Sequence, residues 1–456
     1  MQSRVHLVKY LRRLILLGGS VTFLLTISYA QDAEEFNLAN GLKIIVQPDY
    51  RAPVVVSQIW YRVGSAYEYD GITGISHALE HMMFKGTKST KPGEFSEIVS
   101  QRGGTENAFT STDFTAYYQQ WSPENLELSF KLEADRMNNL VFDEQEFLQE
   151  RAVVLEERSL RVDDNPTAQA YETLKANAFL TSPYRYPVIG WRADISELTV
   201  ADLRRWYERF YHPNNSIIVV VGDVSAPEVF RLAKKYFGDI PKGPEIKVKS
   251  RREIPQNGNK RIVLTSEEAR VEHLVLGYKT PSLKQALIDD DVEEWEPFAL
   301  EVLATVLDGF EGARLESSVV RKLKLATSTS VSYSWATLLP DLFTVSAIPE
   351  KNVSLDKLEG ALKKEIAKLV SKPPVDTELR KVIAQTVAES VFQTDSIAYQ
   401  AILIGSLEAV GLDWRLKEQY IDRVKSVTSE QVANVAEKYL MGDSVTVVHL
   451  VPGGAK

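Results

Sequence analysis

His77, Glu80 and His81 form the run H-x-x-E-H in a chain of 456 residues that contains only six histidines. On a helix, side chains three and four positions apart are neighbours, so the two imidazoles can converge on one ion while Glu80 stands beside them. That is the arrangement a hydrolytic zinc site needs, and it points to metal-assisted cleavage of the metallopeptidase kind, with Glu80 as the base. A catalytic zinc takes three protein ligands and leaves one position for water, so a third ligand is required. The helix expected over 144–161 offers candidates: Glu150 and Glu157 lie seven apart on one face, while Phe147, Leu148, Val154 and Leu155 supply packing positions. Glu146, Glu150, Glu156 and Glu157 can equally form a solvated acidic face, and spacing alone leaves both readings open. His212, His273 and His449 have no metal-like spacing and read as structural.

The elements that must position these groups can be read along the chain. Residues 1–30 carry Arg4, Lys9, Arg12 and Arg13, an apolar stretch Leu14–Ile27, and the small-residue run Ser28-Tyr29-Ala30, the pattern of a cleavable signal peptide. The protein is therefore expected to be periplasmic or secreted, with a membrane-anchored form as the alternative if the leader is retained. No later apolar run of roughly eighteen residues suggests a stable membrane span. The chain has no cysteine, so its stability must come from buried core alone. Of 53 basic residues four lie in the leader, which leaves 49 against 62 acidic and a net charge of −13. Nucleic acid is an unsuitable partner for such a surface.

Two distant stretches read alike. Thr199-Val200-Ala201-Asp202 opens an amphipathic helix through Leu203, Trp206 and Phe210, followed by a strand from Ser216; Thr428 to Gln431 opens another through Val432, Val435 and Tyr439, followed by a strand expected from Ser444. Cap threonine and strand serine are 17 residues apart in the first (199 to 216) and 16 in the second (428 to 444). Each half also opens with a strand pair, 42–47 with 54–63 and 261–265 with 272–278. The expected fold is α+β with two homologous domains, each a mainly antiparallel sheet packed with helices. Its boundaries are residues 31–242 for an N-terminal catalytic zinc-binding domain, 243–260 for a Pro-, Gly- and charge-rich linker, and 261–456 for a C-terminal inactive domain.

The inverted order H-x-x-E-H, followed 76 residues later (81 to 157) by Glu157 in Glu150-Arg151-x-x-Val154-x-x-Glu157, resembles the pitrilysin/insulinase family of zinc peptidases, in its short, exported, processing-peptidase-like form. Further matches are Gly74 and Ser76 before the motif, Phe84-Lys85-Gly86-Thr87 after it, the run from Gly103-Gly104 through Asn107-Ala108 to Tyr117, Ile189-Gly190, Tyr211-x-Pro213-x-Asn215 and Gly222-Asp223. The resemblance implies one Zn²⁺ held by His77, His81 and Glu157, Glu80 as general base, and Glu150 as a carboxylate supporting the ligands. It also implies that the strand 105–112 pairs with the backbone of peptide substrates through Asn107 and Ala108.

The pattern fails in one place. Relatives supply an arginine and, six or seven residues on, a tyrosine that hold the substrate carbonyl; here Arg321 aligns with the arginine, but Thr327 or Ser328 stands where the tyrosine belongs, and the nearest tyrosine is Tyr333. Family members enclose substrate between two such two-domain halves. The expectation is thus a zinc metalloendopeptidase for short or unfolded peptides, forming a heterodimer with a homologous partner chain that supplies the tyrosine, or a homodimer. A structural or peptide-binding subunit with a vestigial zinc site is the competing reading.

Overall fold

The computed structural model describes residues 32–246 and 252–454. The first half builds a sheet of β1 (Glu34–Asn37), β2 (Lys43–Pro48), β3 (Val55–Tyr61), β4 (Thr105–Thr110), β5 (Thr115–Trp121) and β6 (Ser216–Gly222), in the order β1-β2-β6-β3-β5-β4. The second builds β7 (Lys260–Ser266), β8 (His273–Thr280), β9 (Ala326–Ser332), β10 (Asp341–Pro349) and β11 (Thr446–Pro452), in the order β7-β11-β8-β10-β9. Among the described residues only β2 with β6 and β7 with β11 run parallel, so both sheets are mainly antiparallel. The leader and residues 247–251 of the linker lie outside the described residues. Further along the linker, the Glu253 carboxylate accepts the backbone amides of Leu180, Thr181 and Ser182 and pairs with Lys279 at 2.6 Å.

The helices repeat in the same way. After β3 comes α1 (Ile75–Met82), then α2 (Glu144–Arg158), α3 (Pro166–Ala178) and α4 (Val200–Phe210). Past β8 and a short helical turn, Leu283–Ala286, stands α5 (Glu296–Asp308), and past a further helix, Leu355–Ser371, come α6 (Asp376–Gln393), α7 (Ile397–Ala409), α8 (Leu416–Lys425) and α9 (Ser429–Leu440). Both expected capping boxes form, Thr199 with Asp202 on α4 and Thr428 with Gln431 on α9. Several boundaries differ from expectation, among them the ends of β3, at Tyr61 rather than residue 63, and of β4, at Thr110 rather than residue 112. The strand β11 starts at Thr446 because the Val445 amide donates to the Asn259 side chain, outside the ladder. The helix α2 stops at Arg158 and continues as a π-helical turn, Ser159–Asp163, where the Ser159 hydroxyl bonds back to the Leu155 carbonyl.

Every residue of β3 and β6 is buried, which requires cover on both faces of the first sheet. With a side-chain period of two, Ile44, Val46, Ile59, Tyr61, Ile218 and Val220 join the core beneath the helices of the first half. Ile45, Val56, Trp60, Ile217, Val219 and Val221 point to the opposite face, where the cover is α7, a helix of the second half. The exchange is reciprocal. On the second sheet Leu274, Leu276 and Tyr278 face their own helices, whereas Val275, Val448 and Leu450 pack on α3 from the first half. The contact stripes match: Ala170, Leu174 and Ala178 on α3, and Ala401, Gly405 and Ala409 on α7, each spaced by four. Large and small are traded between the two contacts. Leu174 meets Gly277 of β8, while Gly405 lies against Trp60 of β3, where an added Cβ would stand 2.2 Å from the indole nitrogen.

Candidate metal centre

The helix that carries the motif is fixed first at its N-terminus. Gly74 caps α1 with φ 86°, a left-handed conformation that favours glycine, and a Cβ there would lie 2.4 Å from the Ile189 carbonyl oxygen. Gly190, with φ 90°, meets the same contact from the other side. The backbones of residues 74 and 190 therefore touch, which gives a physical reason for glycine at both places. Glu68, fully buried, accepts the free amides of Gly74 at 2.7 Å and Ser76 at 2.9 Å, and burial pushes its carboxyl up to about 7. Thr73 is tied by its hydroxyl to Asp194 at 2.6 Å.

On this helix His77 and His81 stack edge to face, 4.8 Å between ring centres. The helix α2 packs across α1 and brings up Glu157, whose Oε2 lies 3.5 Å from Nε2 of His77 and 3.4 Å from Nε2 of His81. One ligand atom from each of the three side chains lies within 4.8 Å of the others. The donor set fits a zinc ion on its own terms: two imidazole nitrogens and a carboxylate oxygen converge, and that oxygen is buried with no hydrogen-bond partner. Its other oxygen pairs with Arg161 at 2.9 Å. Burial first, then electrostatic interaction with His81 and Arg161, push the His77 imidazole down to about 3, so it stays a neutral donor.

Glu150 accepts from Nδ1 of His81 at 3.0 Å and pairs with Lys85 at 2.6 Å. Burial opposes its charge, but these bonds from Lys85 and His81 hold its carboxyl below the usual range. The consequence for His81 is that Nδ1 is engaged and Nε2 faces Glu157. Glu80, beside the histidines, accepts a short hydrogen bond from the Thr110 hydroxyl of β4. Burial raises its carboxyl, the bond from Thr110 opposing. Asn107, Ala108 and Thr110 line the same cleft of about 1120 Å³, and β4 is the edge strand of its sheet. The Ala108 amide donates to the Asn107 side chain at 2.8 Å. Asp113, in the turn after β4, is buried and accepts the Tyr184 hydroxyl at 2.6 Å and the Leu338 amide at 3.1 Å, so it ties the turn to the second half.

The structure does not bring Arg321 to this cleft. It lies in a π-helical turn, Glu316–Lys322, paired with Glu311 and Glu316 at 2.8 Å each. Tyr333 is committed elsewhere, its hydroxyl donating to the Pro281 carbonyl at 2.7 Å. Asp356, Glu359 and His449 also cluster, but Arg261 donates to all three at 2.9–3.1 Å, so a cation already fills that cluster. Sequence reasoning missed Glu68, and it included Thr110 in the family-like run 103–117 without giving it a role. The fold places both beside the motif.

Two family models match the chain: Insulinase (Peptidase family M16) over residues 43–191 and the Peptidase M16 inactive domain over residues 197–386. The zinc protease PqqE of Helicobacter pylori is 32% identical over 447 residues, covering 96% of this chain and 98% of the relative. The chain belongs to the insulinase family, peptidase family M16. A crystal structure of a protease from Helicobacter pylori shares the M16 fold at TM-score 0.86 and 31% identity, covering 93% of this chain and all of that one. The periplasmic protease PqqL of Escherichia coli, 20% identical, has the same fold at TM-score 0.75; this chain spans 92% of itself on 48% of PqqL. Among the described residues of this M16 chain, no helix is long and apolar enough to cross a membrane.

Proposed function

We propose that this M16 chain is an exported zinc metalloendopeptidase that hydrolyses short or unfolded peptides and works as one half of a two-chain chamber. The observation that carries the reading is the convergence of His77, His81 and Glu157 on one point directly beside Glu80. Those three side chains would hold the ion, Glu150 orienting His81. Zinc bound there supplies a Lewis acid that polarises a scissile carbonyl and acidifies water.

The protein's own groups do the rest. Glu80, held by Thr110, is placed to take a proton from the attacking water and return it to the leaving amine. A peptide that adds as a further strand beside β4 would run past Asn107 and Ala108, registered by backbone hydrogen bonds more than by side-chain pockets. The functional division follows the expected boundaries: residues 31–242 catalytic, 243–260 linking, 261–456 homologous and inactive. A partner supplies the tyrosine that the second half lacks, and the twofold length of PqqL supports pairing of such halves. Arg321 contributes to carbonyl binding only by leaving Glu311 and Glu316.

The test is zinc content together with cleavage of a quenched peptide library by residues 31–456, alone and mixed with a homologous partner chain. Zinc with activity in either case supports the peptidase, and activity only in the mixture supports the half-chamber. Bound zinc without cleavage in both moves the assignment to a scaffold or peptide-binding subunit.

A further inference from the structure

The second half contains a cavity at the place its own helix order makes equivalent to the metal cleft. It lies between α5, α6, α7 and α8, has a volume of about 690 Å³, and is closed on one side by residues 47–51 of the first half. The helix α5 follows β8 as α1 follows β3, and α6 precedes α7 as α2 precedes α3. In place of histidines, α5 contributes Glu301 and Thr305, and α6 contributes Glu389.

Glu301 is the acid that α5 turns into this cavity. One carboxylate oxygen accepts the Tyr420 hydroxyl at 2.9 Å; the other is buried with no hydrogen-bond partner. Among the described residues neither Glu301 nor Glu389 forms an ion pair. The basic groups that line the cavity are bonded to other partners than these two acids: Arg51 chelates Asp49 at 2.7 Å and reaches Asp395 at 3.5 Å, and Lys417 hydrogen-bonds to Gln47. Burial, and then the charge of Glu389, push the Glu301 carboxyl up to about 7 against the Tyr420 bond. The walls beside these acids are aromatic. Tyr420 stacks on Trp335 with ring centres 5.7 Å apart, and Tyr399 completes the lining.

A buried acid that lacks its cation, beside aromatic faces in a cavity of this size, has the recognition chemistry of a small organic cation: a carboxylate to pair with the charge and ring faces to replace its water. We infer that this cavity is a second binding site, for a primary ammonium group carried on an alkyl stem. Lysine side chains of a peptide and free alkylamines share that chemistry. The site is separate from the metal cleft and does not rest on the peptidase reading.

The experiment is titration calorimetry on residues 31–456 carrying Glu80→Gln, so that no turnover consumes the probe. The probes are a lysine-bearing peptide, the same peptide with norleucine for lysine, and n-butylammonium. The lysine peptide or n-butylammonium binds, the norleucine peptide binds at least about tenfold more weakly, and Glu301→Gln weakens the cationic probe by about tenfold. Ser390→Lys, which places an ammonium of the chain's own in the cavity, abolishes binding and guards against a folding effect of the first variant. Binding of the peptide assigns a peptide source, and binding of n-butylammonium alone assigns a free amine. Equal affinity for lysine and norleucine peptides, no binding of any cationic probe, or affinity unmoved by Glu301→Gln and Ser390→Lys overturns the site.

Discussion

The two halves of this molecule share a plan and differ in what their equivalent helices present. Across α1 and α2 the first half brings together two imidazoles and a carboxylate whose free oxygen is unpaired; across α5 and α6 the second presents two carboxylates, a threonine and aromatic faces. A duplicated scaffold fixes where a buried pocket forms, and a few side chains on two helices decide which cation it suits. The first pocket offers two imidazole nitrogens beside its carboxylate, whereas the second sets Glu301 and Glu389 beside ring faces. The contrast extends to how each pocket is supported. Glu150 holds His81, Thr110 holds Glu80 and Glu68 holds the start of their helix, whereas Glu301 has a single supporting bond from Tyr420.

The strongest way to break this contrast is to remove the ion. Treatment with a chelator should abolish peptide cleavage, and added zinc should restore it; cleavage that survives a verified loss of zinc would end the metal reading of the first pocket. Next, Glu80→Gln should lower kcat by about 10²–10⁴-fold while zinc content stays at one per chain, as measured by atomic absorption. Glu150→Ala frees Nδ1 of His81 and should weaken zinc affinity or turnover by about 10–100-fold, read by competition with a fluorescent chelator.

Smaller effects test the scaffold that both pockets share. Leu174→Ala should cost about 2–5 kcal/mol by opening a cavity over Gly277, and Gly405→Ala about 1–3 kcal/mol by crowding Trp60. Because each contact joins the two halves, both variants should shift one common calorimetric transition; two transitions, of which each variant moves one, would contradict the reciprocal packing. Last, Glu301 has a folded pKa near 7 against an ordinary value of 4.5. Between those values the folded chain keeps a proton that the unfolded chain has released, so this group makes stability fall as pH rises from about 4.5 to 7 and level off above. Glu301→Gln should flatten that slope in urea titrations.

Much of this was readable from local pattern. His77, Glu80 and His81 stand on one helix, the capping boxes at Thr199 and Thr428 mark both helix starts, and the continuous β-branched apolar runs within 42–47 and 216–221 mark strands. What could not be read is which surface covers which. The stripe Ala401, Gly405, Ala409 announces an apolar helix face, but no periodicity says that the sheet beneath it belongs to residues 43–222. The same limit hid Glu68, whose role exists only because the chain folds back on the start of α1. It also hid the engagement of Arg321 with Glu311 and Glu316, which an alignment of types does not reveal.

The reciprocal exchange of α3 and α7 has a consequence for biogenesis. During synthesis the outer face of the first sheet, with Trp60, Val219 and Val221 on it, stays bare until residues 397–409 of the second half have emerged. The first half is therefore not a unit that can finish folding alone on the ribosome. A polypeptide whose first sheet waits for a helix of its second half remains open to chaperones throughout that interval.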